Sequence, residues 1–161
     1  MTKSKDPNNM TPEQMEERIV RLAFEGDALK FREFCAKLRA GLPEGTGFAL
    51  RGSVVTNKRY EDGEPFDAKG RGSSDLDVTL VGSKVMEFWN EDAFYIPGLH
   101  TKPLYDGDAG IAPALNPLRE ELQKIAGRPV AFQATSNLIL YGRDVLFNEP
   151  YFTVVEAQKA S

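Results

Sequence analysis

The sequence predicts an α+β fold, and three observations carry the prediction. Short apolar runs of strand length occur at residues 48–50, 76–81 and 129–135, apolar stripes at helical spacing precede and separate them, and glycine or proline punctuates most junctions. With 161 residues, 41% of them hydrophobic, the chain has the size and apolar content of one ordinary domain. Residues 1–10 read as a disordered lead and residues 11–161 as a single domain.

Thr11-Pro12-Glu13-Gln14 has the signature of a helix start: a hydroxyl at the N-cap, proline at the first helical position and glutamine three residues after the cap. Met15, Ile19 and Leu22 share one helical face, and Phe24, Ala28, Phe31, Cys35 and Leu38 continue it with a shift of phase at Gly26-Asp27, which predicts a bend or break there. Gly41 and Pro43 close the segment. Cys35 is the only cysteine, so no internal disulfide forms, and its place in the apolar pattern assigns it to packing.

Beyond the first two strands, residues 84–90 suit a short helix. The stretch 95–113 is long for a connection and rich in glycine and proline; with Phe94, Tyr95 and Tyr105 it reads as an ordered lid. Leu115, Leu118, Leu122 and Ile125 form a helical stripe ending at Gly127, and the strand at 129–135 follows. Ser136 is placed to cap a last helix through Leu138, Tyr141 and Val145, and residues 151–155 read as a short terminal strand.

Chemistry concentrates between residues 48 and 82. The first apolar run ends in Gly52-Ser53, and the second carries Asp75 and Asp77. In an extended strand, residues i and i+2 share a face roughly 6–7 Å apart, close enough for two carboxylates to converge on one divalent cation. Aspartate oxygens suit Mg²⁺, which is held by one or two carboxylates together with substrate phosphates. A glycine and a serine at a strand end let backbone N–H groups approach a phosphate and add a hydroxyl donor. The plainer alternative is structural, because Gly72-Ser73-Ser74-Asp75 is also good turn chemistry at the mouth of a solvent-facing strand.

The order Gly52-Ser53, linker, Ser74-Asp75-Leu76-Asp77-Val78-Thr79-Leu80-Val81 resembles the signature of the DNA polymerase β superfamily of nucleotidyltransferases, in particular its minimal single-domain members. The resemblance implies a small mixed β-sheet flanked by helices, with Asp75 and Asp77 as catalytic metal ligands for Mg²⁺ and Gly52, Ser53 and Ser74 holding a nucleoside triphosphate such as ATP. The implied reaction moves a nucleotidyl group to an acceptor hydroxyl on a small molecule, a protein or RNA. Arg51 or Arg71 would offset phosphate charge, and the glycine-containing segments 57–72 and 95–113 would close over the nucleotide. Two departures from the pattern stand out. The linker from Ser53 to Ser74 is long, and the strand where many members carry a third carboxylate offers only Gln133, a poor metal ligand and a poor general base. The competing function classes are therefore a catalytically inactive binding module on the same fold and a toxin–antitoxin or defence protein acting with a second protein.

Composition narrows the partners. A net charge of −4 and a pI near 5.1 argue against an extended nucleic-acid surface. No apolar run is long enough to span a membrane and the start is not signal-like, so the expected location is cytoplasmic. Asp106-Gly107-Asp108 opens like a calcium loop, but Gly110, Ile111 and Pro117 stand where ligands and the turn glycine belong. His100, the only histidine, has no second histidine or cysteine pattern with which to bind zinc and reads as a loop residue facing substrate or solvent.

Overall fold

The computed structural model describes residues 10–59 and 62–157. The expected lead at 1–10 lies outside these residues except for Met10. The chain opens with α1 (Pro12–Ala23), and its capping box is complete: Thr11 Oγ1 accepts the Gln14 N–H at 3.2 Å while Gln14 Oε1 accepts the Thr11 N–H at 3.0 Å. The break at Gly26-Asp27 is a new helix start. Asp27 Oδ1 accepts the N–H groups of Leu29 and Lys30, both at 3.1 Å, and begins α2 (Ala28–Ala40). Then follow β1 (Gly47–Arg51), α3 (Ser53–Thr56), β2 (Leu76–Val81), α4 (Ser83–Met86), β3 (Phe94–Ile96), β4 (His100–Thr101), two 3₁₀ turns, α5 (Asn116–Ala126), β5 (Val130–Thr135), α6 (Leu138–Asp144) and β6 (Tyr151–Val155).

The strands form one six-stranded mixed sheet in the order β3-β4-β5-β2-β1-β6. β2 lies at its centre, antiparallel to β1 and parallel to β5. The β2-to-β5 connection passes through α5, as a parallel pair requires a crossover. Alternation along the three central strands separates two faces. Phe48, Leu50, Leu76, Val78, Leu80, Val130, Phe132 and Ala134 point one way and join Ile19, Phe31, Phe34, Leu38 and Leu122 of α1, α2 and α5 in the hydrophobic core. Arg51, Asp77, Thr79, Gln133 and Thr135 point the other way. Among the described residues, no helix is long and apolar enough to cross a membrane.

Three local expectations are corrected. The stretch 95–113 is not a lid. Its first part pairs as the β3–β4 hairpin, and Leu104 exchanges backbone hydrogen bonds with Phe132 at 2.7 and 2.9 Å, so it widens the sheet beyond β5. His100 is not a loop residue: it lies on β4, paired with Thr135, and is 0% exposed. The last helix is capped by Asn137, whose side chain accepts the Leu140 N–H at 3.1 Å, while the Ser136 hydroxyl donates to the Gly98 carbonyl. Cys35 packs against the core as expected, and burial, with Glu16 nearby, pushes its thiol pKa up to about 12.

Candidate functional site

A cleft of about 690 Å³ opens at the end of β1 and the start of β2. Its volume lies within the range of small-molecule sites. Arg51, Gly52, Ser53, Ser74, Asp75 and Asp77 line it, with Lys58 and Arg59 from the linker and Val145, Leu146, Phe147 and Glu149 from the segment after α6. Gly52 sits at φ +81°, ψ −151°, a backbone that side-chain-bearing residues rarely adopt. A Cβ built there would lie 2.7 Å from Asp77 Oδ2. The backbone angle calls for glycine, and the missing side chain leaves room for the carboxylate lying against it. Immediately after it the chain turns into α3, where the Gly52 carbonyl accepts the N–H groups of Val55 and Thr56, each at 3.0 Å.

The linker is anchored by an ion pair. Arg128, just before β5, donates from Nη1 to Asp67 Oδ1 at 2.7 Å and from Nη2 to Asp67 Oδ2 at 3.0 Å, a two-pronged contact. Asp67 Oδ1 also accepts the Ser74 N–H at 2.9 Å, Oδ2 accepts the Gly72 N–H at 3.1 Å, and the Asp67 N–H donates to Ser74 Oγ at 2.8 Å. The Arg128 guanidinium lies 4.6 Å from the centre of the Phe66 ring, and Phe66 is itself buried. Burial pushes the Asp67 pKa up, but Arg128 and the two N–H donors outweigh it, so the carboxyl lies below the usual range. The effect is to fix the chain immediately before Asp75.

A second network holds the wall of the cleft from behind. Gln133, 2% exposed, accepts at Oε1 from Arg51 Nη2 at 2.9 Å and from the Tyr141 hydroxyl at 2.7 Å, and donates from Nε2 to the Thr101 carbonyl at 2.8 Å. The two donors and one acceptor around it dictate the amide orientation. Burial raises the Tyr141 pKa, which keeps its hydroxyl protonated as a donor. The Arg51 guanidinium lies 5.9 Å from the Tyr141 ring centre. Further along the same face, His100 Nδ1 meets Thr135 Oγ1 at 2.9 Å and Nε2 meets Asp144 Oδ2 at 3.1 Å, and the His100 ring packs edge-on against Tyr141. Arg143 first, and then His100, holds the Asp144 carboxyl below its usual range.

Of the residues singled out in the sequence, Gly52, Ser53, Ser74, Asp75 and Asp77 meet in the cleft. The Ser74 hydroxyl is engaged by the Asp67 N–H and the residue is buried, so within this cleft it serves to hold the linker. Gln133 shares the face of Asp77 but stands opposite Thr79; directly opposite Asp77 is Ala131. Arg51 lines the cleft, whereas Arg71 pairs with Glu25 outside its lining. Linker residues 58, 59 and 63 reach the cleft, and the stretch 95–113 does not. Asp67, Arg128 and Tyr141 were missed. Their signals were present but faint: an aromatic residue, Phe66, ahead of an aspartate in a polar linker, an arginine directly ahead of a strand, and a tyrosine within a short helical stripe.

Among the described residues no group of three or more His, Cys, Asp or Glu side chains is placed to hold a metal ion. Two carboxylates do line one cleft, one of them against Gly52, and a pair of carboxylates suits a hard cation that takes its remaining ligands from water and phosphate. Comparison with models of protein families, with curated proteins and with solved structures found no match.

Proposed function

We propose that this chain is a Mg²⁺-dependent nucleotidyltransferase of the DNA polymerase β type, binding a nucleoside triphosphate in the cleft and passing its nucleotidyl group to an acceptor hydroxyl. The observation that carries the reading is the contact of Asp77 with Gly52: it puts the paired carboxylates and the Gly-Ser turn, separate in sequence, against one another in one cleft. Asp75 and Asp77 would hold Mg²⁺, which when bound neutralises charge on the transferring phosphoryl group. The lack of a side chain at Gly52 makes room for the Asp77 carboxylate beside the turn, and Ser53 adds a hydroxyl that can donate to a phosphate oxygen. Arg51, held from behind by Gln133, and Lys58 and Arg59 on the rim supply positive charge for the rest of the triphosphate.

The test is a melting curve with and without Mg²⁺ and ATP. A stabilisation that needs both and disappears in Asp77→Asn supports the reading. Incubation with labelled nucleoside triphosphates and a cell lysate then identifies the class of acceptor by which molecule carries the label. A second reading, an inactive nucleotide-binding or protein-binding module, draws on one observation: Ala131 stands opposite Asp77 and Gln133 is tied to Arg51, Tyr141 and Thr101, so β5 brings no third carboxylate to the pair. Binding of ATP with no transfer to any acceptor favours it.

A further inference from the structure

Residues 146–149 form a tight turn closed by the Glu149 N–H donating to the Leu146 carbonyl at 2.9 Å. Both central residues are left-handed, Phe147 at φ +51° and Asn148 at φ +65°. Turns of this kind favour asparagine or glycine at both central positions. Asn148 fits that rule and Phe147 breaks it, since a bulky residue at positive φ is strained. Folding gains nothing in return, because the Phe147 side chain is 76% exposed. The turn is nonetheless well anchored: Leu146 is buried, and the N–H groups of Leu146 and Asn148 donate to the Tyr141 and Gly142 carbonyls at 3.2 and 2.8 Å. It presents an aromatic ring on the lining of the cleft that also carries Arg51, Gly52 and Asp77. Strained, exposed aromatic residues held on a rigid turn beside a cleft are a mark of ligand contact rather than of packing.

We infer that Phe147 is the stacking platform for the aromatic base of a nucleotide whose phosphates face Gly52, Ser53 and Arg51. The inference rests on the nucleotide reading of this cleft and adds to it a base subsite. Arg51, Ser53 and Lys58 on the lining, together with the Phe147 ring, complement a ligand that is anionic at one end and flat and aromatic at the other. Stacking needs only a π-face, so the subsite holds a base without selecting one by hydrogen bonds.

Calorimetric titration of the full chain with ATP and with inorganic tripolyphosphate, both with Mg²⁺, separates the two ends. Phe147→Ala is expected to weaken ATP binding roughly five- to a hundredfold and to leave tripolyphosphate binding unchanged. Phe147→Trp keeps ATP affinity, and the fluorescence of the introduced indole changes on adding ATP but not tripolyphosphate. If Phe147→Ala binds ATP as the parent does, or loses both ligands equally, the base subsite is wrong. The phosphate reading then survives provided Asp77→Asn loses tripolyphosphate. If the parent binds neither ligand, both readings fall together.

Discussion

The two faces of the central sheet are made from alternate residues of the same strands, and they spend those residues differently. On one face Leu50, Leu76, Val78, Leu80, Val130 and Phe132 are buried against the helices and need only volume and apolarity. On the other, Arg51, Gln133 and Thr135 are tied by directed hydrogen bonds to Tyr141, Thr101 and His100. The apolar face tolerates exchange at constant volume, whereas the polar face depends on each partner, because a buried polar group that loses its partner retains the cost of its desolvation. The cleft lies where the polar face runs out to solvent at Asp77 and Asp75, so its geometry is inherited from the bonded network behind it.

Substitutions on either side break this comparison at different points. The largest effect on stability is expected on the apolar face: Phe132→Ala should cost about 3–5 kcal/mol in denaturant unfolding. Where the variant remains folded, nucleotide affinity should be little changed. Arg128→Ala comes next, at about 3 kcal/mol, since it leaves the Asp67 carboxylate without its buried partner. Unlike the core variant, it should loosen the linker, seen as faster hydrogen exchange at residues 66–74. Gln133→Met, which keeps the volume and removes the hydrogen bonds, is expected to cost about 1–3 kcal/mol and to weaken ATP binding by freeing Arg51. A Gln133→Met protein that binds ATP like the parent would detach the network from the cleft.

Asp77→Asn reverses the pattern, with little expected change in unfolding free energy, within about 0.5 kcal/mol, and loss of Mg²⁺-dependent nucleotide binding. Asp75→Asn should behave alike, and unfolding of either variant would make the acids structural. The smallest effect is one of pH. The Asp67 carboxyl is depressed in the folded protein, so its contribution is present above the unfolded value, about 4, and is lost as pH falls through the lower folded value. Acid titration of stability should flatten in Asp67→Asn relative to the parent.

What could be read in the sequence was local or periodic. The capping box at Thr11 and Gln14 is written in four residues, the strand faces in a period of two, and the joint appearance of Gly52-Ser53 with Asp75 and Asp77 in their order. What escaped depends on pairings across the chain. Asp67 and Arg128 are 61 positions apart, Arg51 and Gln133 are 82 apart, and nothing near either member marks its partner. The stretch 95–113 was misread because its strands are three and two residues long, too short to show alternation, and its glycines and prolines belong to turns that bind it to the sheet. His100 was misread for the same reason, since a two-residue strand gives no pattern from which burial can be inferred.

The central position of β2 has a consequence for quality control. Its six residues pair without interruption with β5, and five of them and Asp77 among them pair in unbroken register with β1. Side chains alternate with a period of two, so a slip of one residue would turn Asp77 inward among the aromatic and aliphatic side chains and present Leu76 and Val78 to the cleft. Such a misfolded chain would bury a charge at a cost of several kcal/mol and would have lost its carboxylate from the site in the same event. Correct assembly and the presence of Asp77 in the cleft are therefore a single outcome: no slipped register of β2 keeps this carboxylate beside Gly52.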